Sequence, residues 1–254
     1  MALGGFALAG ALGYSPAMAA PEEIQVYLDE FADPGSWGLD LHTNRVISAQ
    51  PGSVTRAILR VTPELSYGIN PHLETALYWL TSVGPDQSGG HPVTDGAKLR
   101  LKWRPYAPSP DSPWYFAVNG EIGSLSRRFN PDGNSAELKL IGVYSKGPWI
   151  VGSNLNLDRA LKRNPFEGAT WEIDSKLSYQ IRPVAEGGLR LGLENYRFFG
   201  LIRPSGDPSL ASTSNYLVAD FSVKGWDFNF GLGKASGASP DNWVFKAIIG
   251  VPLQ

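Results

Sequence analysis

Residues 171–183 read WEIDSKLSYQIRP, and the fold turns on which side of this stretch faces inward. Side chains alternate along an extended strand, so Trp171, Ile173, Ser175, Leu177, Tyr179 and Ile181 share one face. Glu172, Asp174, Lys176, Ser178, Gln180 and Arg182 share the other. A soluble barrel or sandwich buries the apolar face. A barrel in lipid turns it outward and keeps the charges in the lumen.

The same period-two alternation recurs along nearly the whole chain, broken by Pro, Gly, Asn, Asp and Ser clusters, and helical periodicity never takes hold. It predicts about twelve strands: 36–47, 57–68, 73–83, 96–104, 114–125, 136–144, 149–158, 170–181, 189–198, 216–223, 226–234 and 243–253. Short connections (69–72, 145–148, 182–188, 224–225) alternate with longer polar ones (48–56, 84–95, 127–134, 159–169, 200–215). The proline-rich stretch 105–112 is the exception on the short side. An even strand count with one trimmed and one elaborated end is the pattern of a bacterial outer-membrane barrel. Pro63 has no ladder donor and predicts a bulge or bend within its strand.

The tryptophans choose between the two inside faces. Trp37, Trp79, Trp103, Trp114, Trp149, Trp171, Trp226 and Trp243 all lie at or near predicted strand ends, with the parity of the apolar face. A soluble core would place such rings mid-strand as often as at the tips, whereas interfacial girdles confine them to the ends. Tyr67, Tyr144 and Tyr179 sit likewise at turn-side ends. The opposite face carries mid-strand charges of both signs. Its candidate lumen and selectivity residues are Asp40, His42, Arg60, Glu64, Glu74, Lys98, Arg100, Lys102, Glu121, Glu137, Lys139, Glu172, Asp174, Lys176, Arg190 and Glu194. The fold class that follows is all-β: a single antiparallel transmembrane barrel of about twelve strands over 36–254.

Composition sets outer limits. The 254 residues are 43% hydrophobic and 18% charged with a net charge of -2, which gives no argument for a nucleic-acid partner, and none is expected. Cysteine is absent, so disulfides, thiolate metal sites and cysteine nucleophiles are excluded. Residues 1–20 read as a secretory signal peptide: an apolar run from Ala2 to Leu12, then Ala17-Met18-Ala19, although no Lys or Arg precedes the run. Residues 21–35 form a separate N-terminal segment, either a plug in the lumen or a periplasmic stretch.

The stretches EIQVYLDEFADPGSWGLDLHTN (23–44), RVTPELSYGINPHLETALY (60–78), GAKLRLKWRP (96–105), FAVNGEIG (116–123) and WDFNFGLGK (226–234) resemble a group of uncharacterised proteobacterial outer-membrane β-barrel proteins of a transporter or porin-like kind. The likeness covers most of the chain after the signal peptide. It implies the barrel, the Gram-negative outer membrane, membrane lipid as surroundings and the barrel-assembly machinery as partner during biogenesis. It carries no catalytic residues. The terminal pair Leu253-Gln254 departs from the aromatic residue on which such barrels usually end.

Enzymatic readings are weak. His42 shares its strand face with Asp40 and could act as a general base, but no Gly-x-Ser-x-Gly elbow accompanies it. No His pair or carboxylate cluster has metal-ligand spacing, and no cofactor is expected. The run Lys98, Arg100, Lys102, Arg104 would make an anion-binding wall by itself. Neighbouring strands bring Glu74 and Glu121 toward it, and the lumen as a whole carries nearly balanced charge. The sequence therefore predicts a channel or facilitator for small polar or amphiphilic solutes, with a non-conducting anchoring barrel or an outer-membrane hydrolase as alternatives.

Overall fold

The computed structural model describes residues 23–51, 53, 55, 57–84, 90–107, 109, 111–126, 133–161, 168–184, 187–202, 211–239 and 241–253. The signal-peptide reading of 1–20 lies outside them. Twelve strands follow one another: β1 (Trp37–Ala49), β2 (Leu59–Asn70), β3 (Leu73–Val83), β4 (Val93–Trp103), β5 (Trp114–Leu125), β6 (Asn134–Lys146), β7 (Trp149–Ala160), β8 (Thr170–Gln180), β9 (Arg190–Leu201), β10 (Ser212–Val223), β11 (Trp226–Gly237) and β12 (Asp241–Val251). Each pairs antiparallel with its sequence neighbours, and β1 pairs with β12 to close the barrel. Closure leaves no unpaired sheet edge, the condition for a β structure to exist in hydrocarbon.

The opening strand is resolved in favour of charge inside. On β8, Asp174, Lys176 and Ser178 are buried, whereas Leu177 and Tyr179 are exposed. The outward face is apolar around the wall: Leu177, Leu193, Leu217, Leu232 and Phe245 stand opposite one another from β8 to β12. At the turn end, cross-strand partners Trp37 and Tyr67, Trp114 and Tyr144, and Trp149 and Tyr179 pack ring against ring at 4.7–4.8 Å between centroids.

Several strands run past their predicted limits at the loop end, notably β6 and β10. Residues 212–215 are Ser-Thr-Ser-Asn, polar on both faces, so hydrogen bonding continues where alternation has no apolar member to mark it. The expected bulge at Pro63 is absent. Pairing with β1 runs through Pro63 opposite Leu41, and the β2–β3 register resumes unchanged at Glu64 after lapsing at Thr62 and Pro63. Missing a donor removes a rung without requiring an extra residue. Register shifts lie instead at Gly68/Asn70, between β3 and β4 at Leu80/Thr81, between β1 and β12 at Val46/Ser48 and Ser48/Ala49, and between β8 and β9 at Trp171/Glu172. The β10–β11 hairpin turns on Lys224 and Gly225, both at positive φ (51° and 83°), as a two-residue primed turn requires.

Candidate functional site

The lumen is built from the inward positions of all twelve strands, and every candidate lumen residue named from the sequence lies on that face. Alternation places them there; register decides which of them meet. On β2, β3 and β4, Arg100 reaches Glu64 at 2.6 Å and Glu74 at 2.5 Å. Its other terminal nitrogen donates to the Tyr78 hydroxyl at 2.7 Å. His42 Nε2 lies 3.0 Å from Glu64 Oε2, and Lys102 lies 3.6 Å from Glu74. All five ionisable members of this group are 3% exposed or less. Charges this deep persist only when each is paired and hydrogen bonded.

A second cluster forms on the far wall. Lys246 of β12 and Lys176 of β8 share Glu194 of β9, at 2.5 and 3.2 Å, and Lys176 also meets Asp220 at 2.9 Å. Tyr196 donates to Glu194 at 2.7 Å. Between the clusters, Lys98 pairs with Glu121 at 3.7 Å and Lys139 with Glu137 at 3.2 Å, while Asn156 donates to Asp174 at 2.6 Å. Arg190 sits apart at the turn end, bonded to the Pro148 carbonyl and Gln180. Asp40 and Glu172 are half-buried, and Arg60 is buried nearer the loop end. Of the eight tryptophans, seven are exposed on the outer face, and Trp171 is half-buried against Phe199, ring centroids 4.0 Å apart.

Sequence reasoning left the position of the N-terminal segment open. Residues 23–35 form an irregular chain without helix or strand of its own, with Ile24, Val26, Tyr27 and Leu28 buried inside the barrel and residues 29, 30 and 33–35 exposed, and the wall contacts its backbone at successive points. Asn154 of β7 clasps Tyr27 through both amide atoms: Nδ2 donates to the Tyr27 carbonyl at 2.9 Å, and Oδ1 accepts from its N–H at 2.7 Å. Lys246 donates to the Ile24 carbonyl at 3.0 Å and Lys102 to the Glu30 carbonyl at 2.8 Å. Glu74 accepts from the Ala32 N–H at 2.5 Å. At the turn end, the Gly35 N–H donates to the Gly68 carbonyl and the Gly68 N–H to the Ser36 carbonyl. Gly68 is required there: an added Cβ would lie 2.2 Å from the Asp33 carbonyl oxygen.

Tyr27 is the hub of the segment. It is 1% exposed, its hydroxyl lies 2.8 Å from that of Tyr78 and 3.2 Å from Arg100, and it donates to Glu23. Burial, with the Glu23 carboxylate beside it, pushes the Tyr27 phenol up, so it remains a neutral donor. Ile24, Val26 and Leu28 pack in one cluster with lumen-facing Tyr115, Ala117, Ile141 and Val143. That apolar patch, together with Ala76, Tyr78 and Leu80 on β3, escaped the sequence reading. In ALYWL both faces are apolar, so alternation cannot assign an inside.

No protein-family model matches the chain, and no curated protein is similar to it in sequence. Solved structures share the fold. The KdgM porin in complex with disordered oligogalacturonate superposes with a TM-score of 0.56 at 9% identity, over 85% of this chain and 99% of that one. An outer-membrane channel from Pseudomonas putida F1 gives 0.58 at 12% identity, over 90% and 99%. The β domain of the Bordetella autotransporter BrkA gives 0.50 at 12% identity, over 87% and 100%. The chain thus has the fold of an outer-membrane barrel.

Proposed function

We propose that the protein is a channel or facilitator of the Gram-negative outer membrane for small polar or amphiphilic solutes, closed in the state described here by its own residues 23–35. The observation that carries this reading is the segment itself: a stretch laid through the lumen and held to five strands by individual hydrogen bonds. A purely structural barrel has no use for a separable filling. The apolar outer wall with aromatic strand ends supports a place in lipid, and the likeness to two channels supports a conducting role. His42 lies behind Glu64 and Tyr78 at 1% exposure, which favours a structural part in the network over hydrolysis.

The test is planar-bilayer conductance of three proteins: the intact barrel, Asn154→Ala, and a variant lacking residues 23–32. Asn154→Ala removes both hydrogen bonds of the clasp, at about 0.5–1.5 kcal/mol net each, so undocking and open time should rise roughly tenfold. The deletion should conduct steadily. Silence from all three folded barrels would favour the non-conducting alternative, for which the extensive pairing of lumen charges speaks.

A further inference from the structure

The wall beneath the N-terminal segment is not the polar surface of a water-filled lumen. Tyr115 and Ala117 of β5 and Ile141 and Val143 of β6 face inward there, all buried. Beside them on β7 stands Gly152, where an added Cβ would lie 2.4 Å from Leu28 Cδ2. The missing side chain leaves a recess that a leucine fills. The Tyr115 hydroxyl is buried at this wall without a hydrogen-bond partner, a polar atom available to a different occupant.

Cations border the apolar strip, and Arg100, Lys102 and Lys139 among them are also paired with wall carboxylates Glu64, Glu74 and Glu137. Around the Tyr27 ring, Lys139, Lys102 and Arg100 lie 4.3, 5.2 and 5.4 Å from the centroid, and Arg104 lies 3.9 Å from that of Phe31. The present occupant matches both halves of this surface. Residues 23–35 alternate Ile24, Val26 and Leu28 toward the apolar strip, carry Glu23, Asp29, Glu30 and Asp33, and contain no Lys or Arg. The segment is itself an amphiphilic anion.

We propose that this groove is the solute site, and that its solute is an amphiphilic organic anion, an aliphatic chain ending in a carboxylate, which competes with the segment for the wall. The aliphatic chain replaces Val26 and Leu28 over Ala117, Val143 and Gly152; the carboxylate replaces segment acids beside the bordering cations. Binding and opening are then one event, because the solute displaces the closure. The proposal names the solute of the channel reading and rests on it for transport, but not for binding.

The chain has no cysteine, so Asp29→Cys, at an exposed position of the segment, accepts a single spin label. In lipid nanodiscs, dodecanoate should mobilise the label at a concentration at least tenfold below that of dodecyltrimethylammonium, which has the same chain and the opposite charge. Gluconate, anionic without an apolar chain, should leave the spectrum unchanged. In bilayers, dodecanoate should block current through the barrel lacking residues 23–32, and adding Gly152→Leu to that barrel, which fills the recess, should weaken block tenfold or more. An immobile label under dodecanoate, an equal response to the cation or to gluconate, or block indifferent to Gly152→Leu overturns the proposal. A shortened barrel that passes no current defeats the channel reading instead, and the label still decides the site.

Discussion

Arg100 is the residue on which the near wall depends. One guanidinium bonds carboxylates from two other strands and the hydroxyls of Tyr78 and Tyr27, so it links β2, β3, β4 and the N-terminal segment. Its planar fork serves four acceptors together in fixed directions, one more than the three N–H groups of a lysine could supply. Arg100→Met would leave Glu64 and Glu74 buried with a reduced set of cations. A loss of about 3–5 kcal/mol is expected in denaturant unfolding of the vesicle-folded protein. Glu64→Gln in the same chain should recover part of that loss, because it removes one of the stranded charges. An unchanged midpoint in Arg100→Met would show that the network is wetter and weaker than its geometry implies. The residue types of this network were legible in the sequence. Its wiring was not, since which acid meets which base depends on cross-strand register and side-chain reach.

At the scale of elements, the N-terminal segment and the strands obey different rules. Strands satisfy their backbone groups through the ladder. The segment has no ladder and borrows side chains of the wall, chiefly Asn154, Lys246, Lys102 and Glu74. Its docking should depend on pH through Tyr27. The phenol is held above its ordinary value of about 10 by burial and by Glu23, so the docked state binds that proton more tightly than the released state. Docking is therefore at full strength below the ordinary phenol value and weakens as pH rises past it. Single-channel open time should climb above about pH 10, and Tyr27→Phe should flatten that rise. A climb that persists in Tyr27→Phe would assign it to other groups. EIQVYLDEFADPG left a plug in the lumen and a periplasmic stretch both open, because the segment is recognised by side chains from strands up to 222 residues away in sequence.

For the whole molecule, the decisive question is whether the apolar belt meets lipid. Leu193 is 56% exposed at mid-strand in β9, opposite Leu177 and Leu217. Leu193→Arg should destabilise the barrel by about 2–4 kcal/mol when unfolding is measured in vesicles, the cost of a cation near the bilayer midplane. A wet outer face would tolerate the change, so near-equal midpoints would place this belt outside the membrane.

The strand number, the closed antiparallel plan and the assignment of charge to the inside were determined by sequence alone. A period-two pattern fixes two faces, and the placing of seven of the eight tryptophans at or near strand ends on the apolar face pointed to which is outward, although Trp79 stands mid-strand in β3. Strand limits at the loop end were blurred because residues such as Ser212–Asn215 are polar on both faces. Only the tertiary structure decided that Arg100 joins Glu64 to Glu74, that Lys176 and Lys246 share Glu194, and that the lumen holds an apolar strip with the segment laid over it. Those outcomes rest on contacts across a closed barrel. Such contacts depend on register and curvature accumulated over many strands, which a pattern local to one strand does not carry.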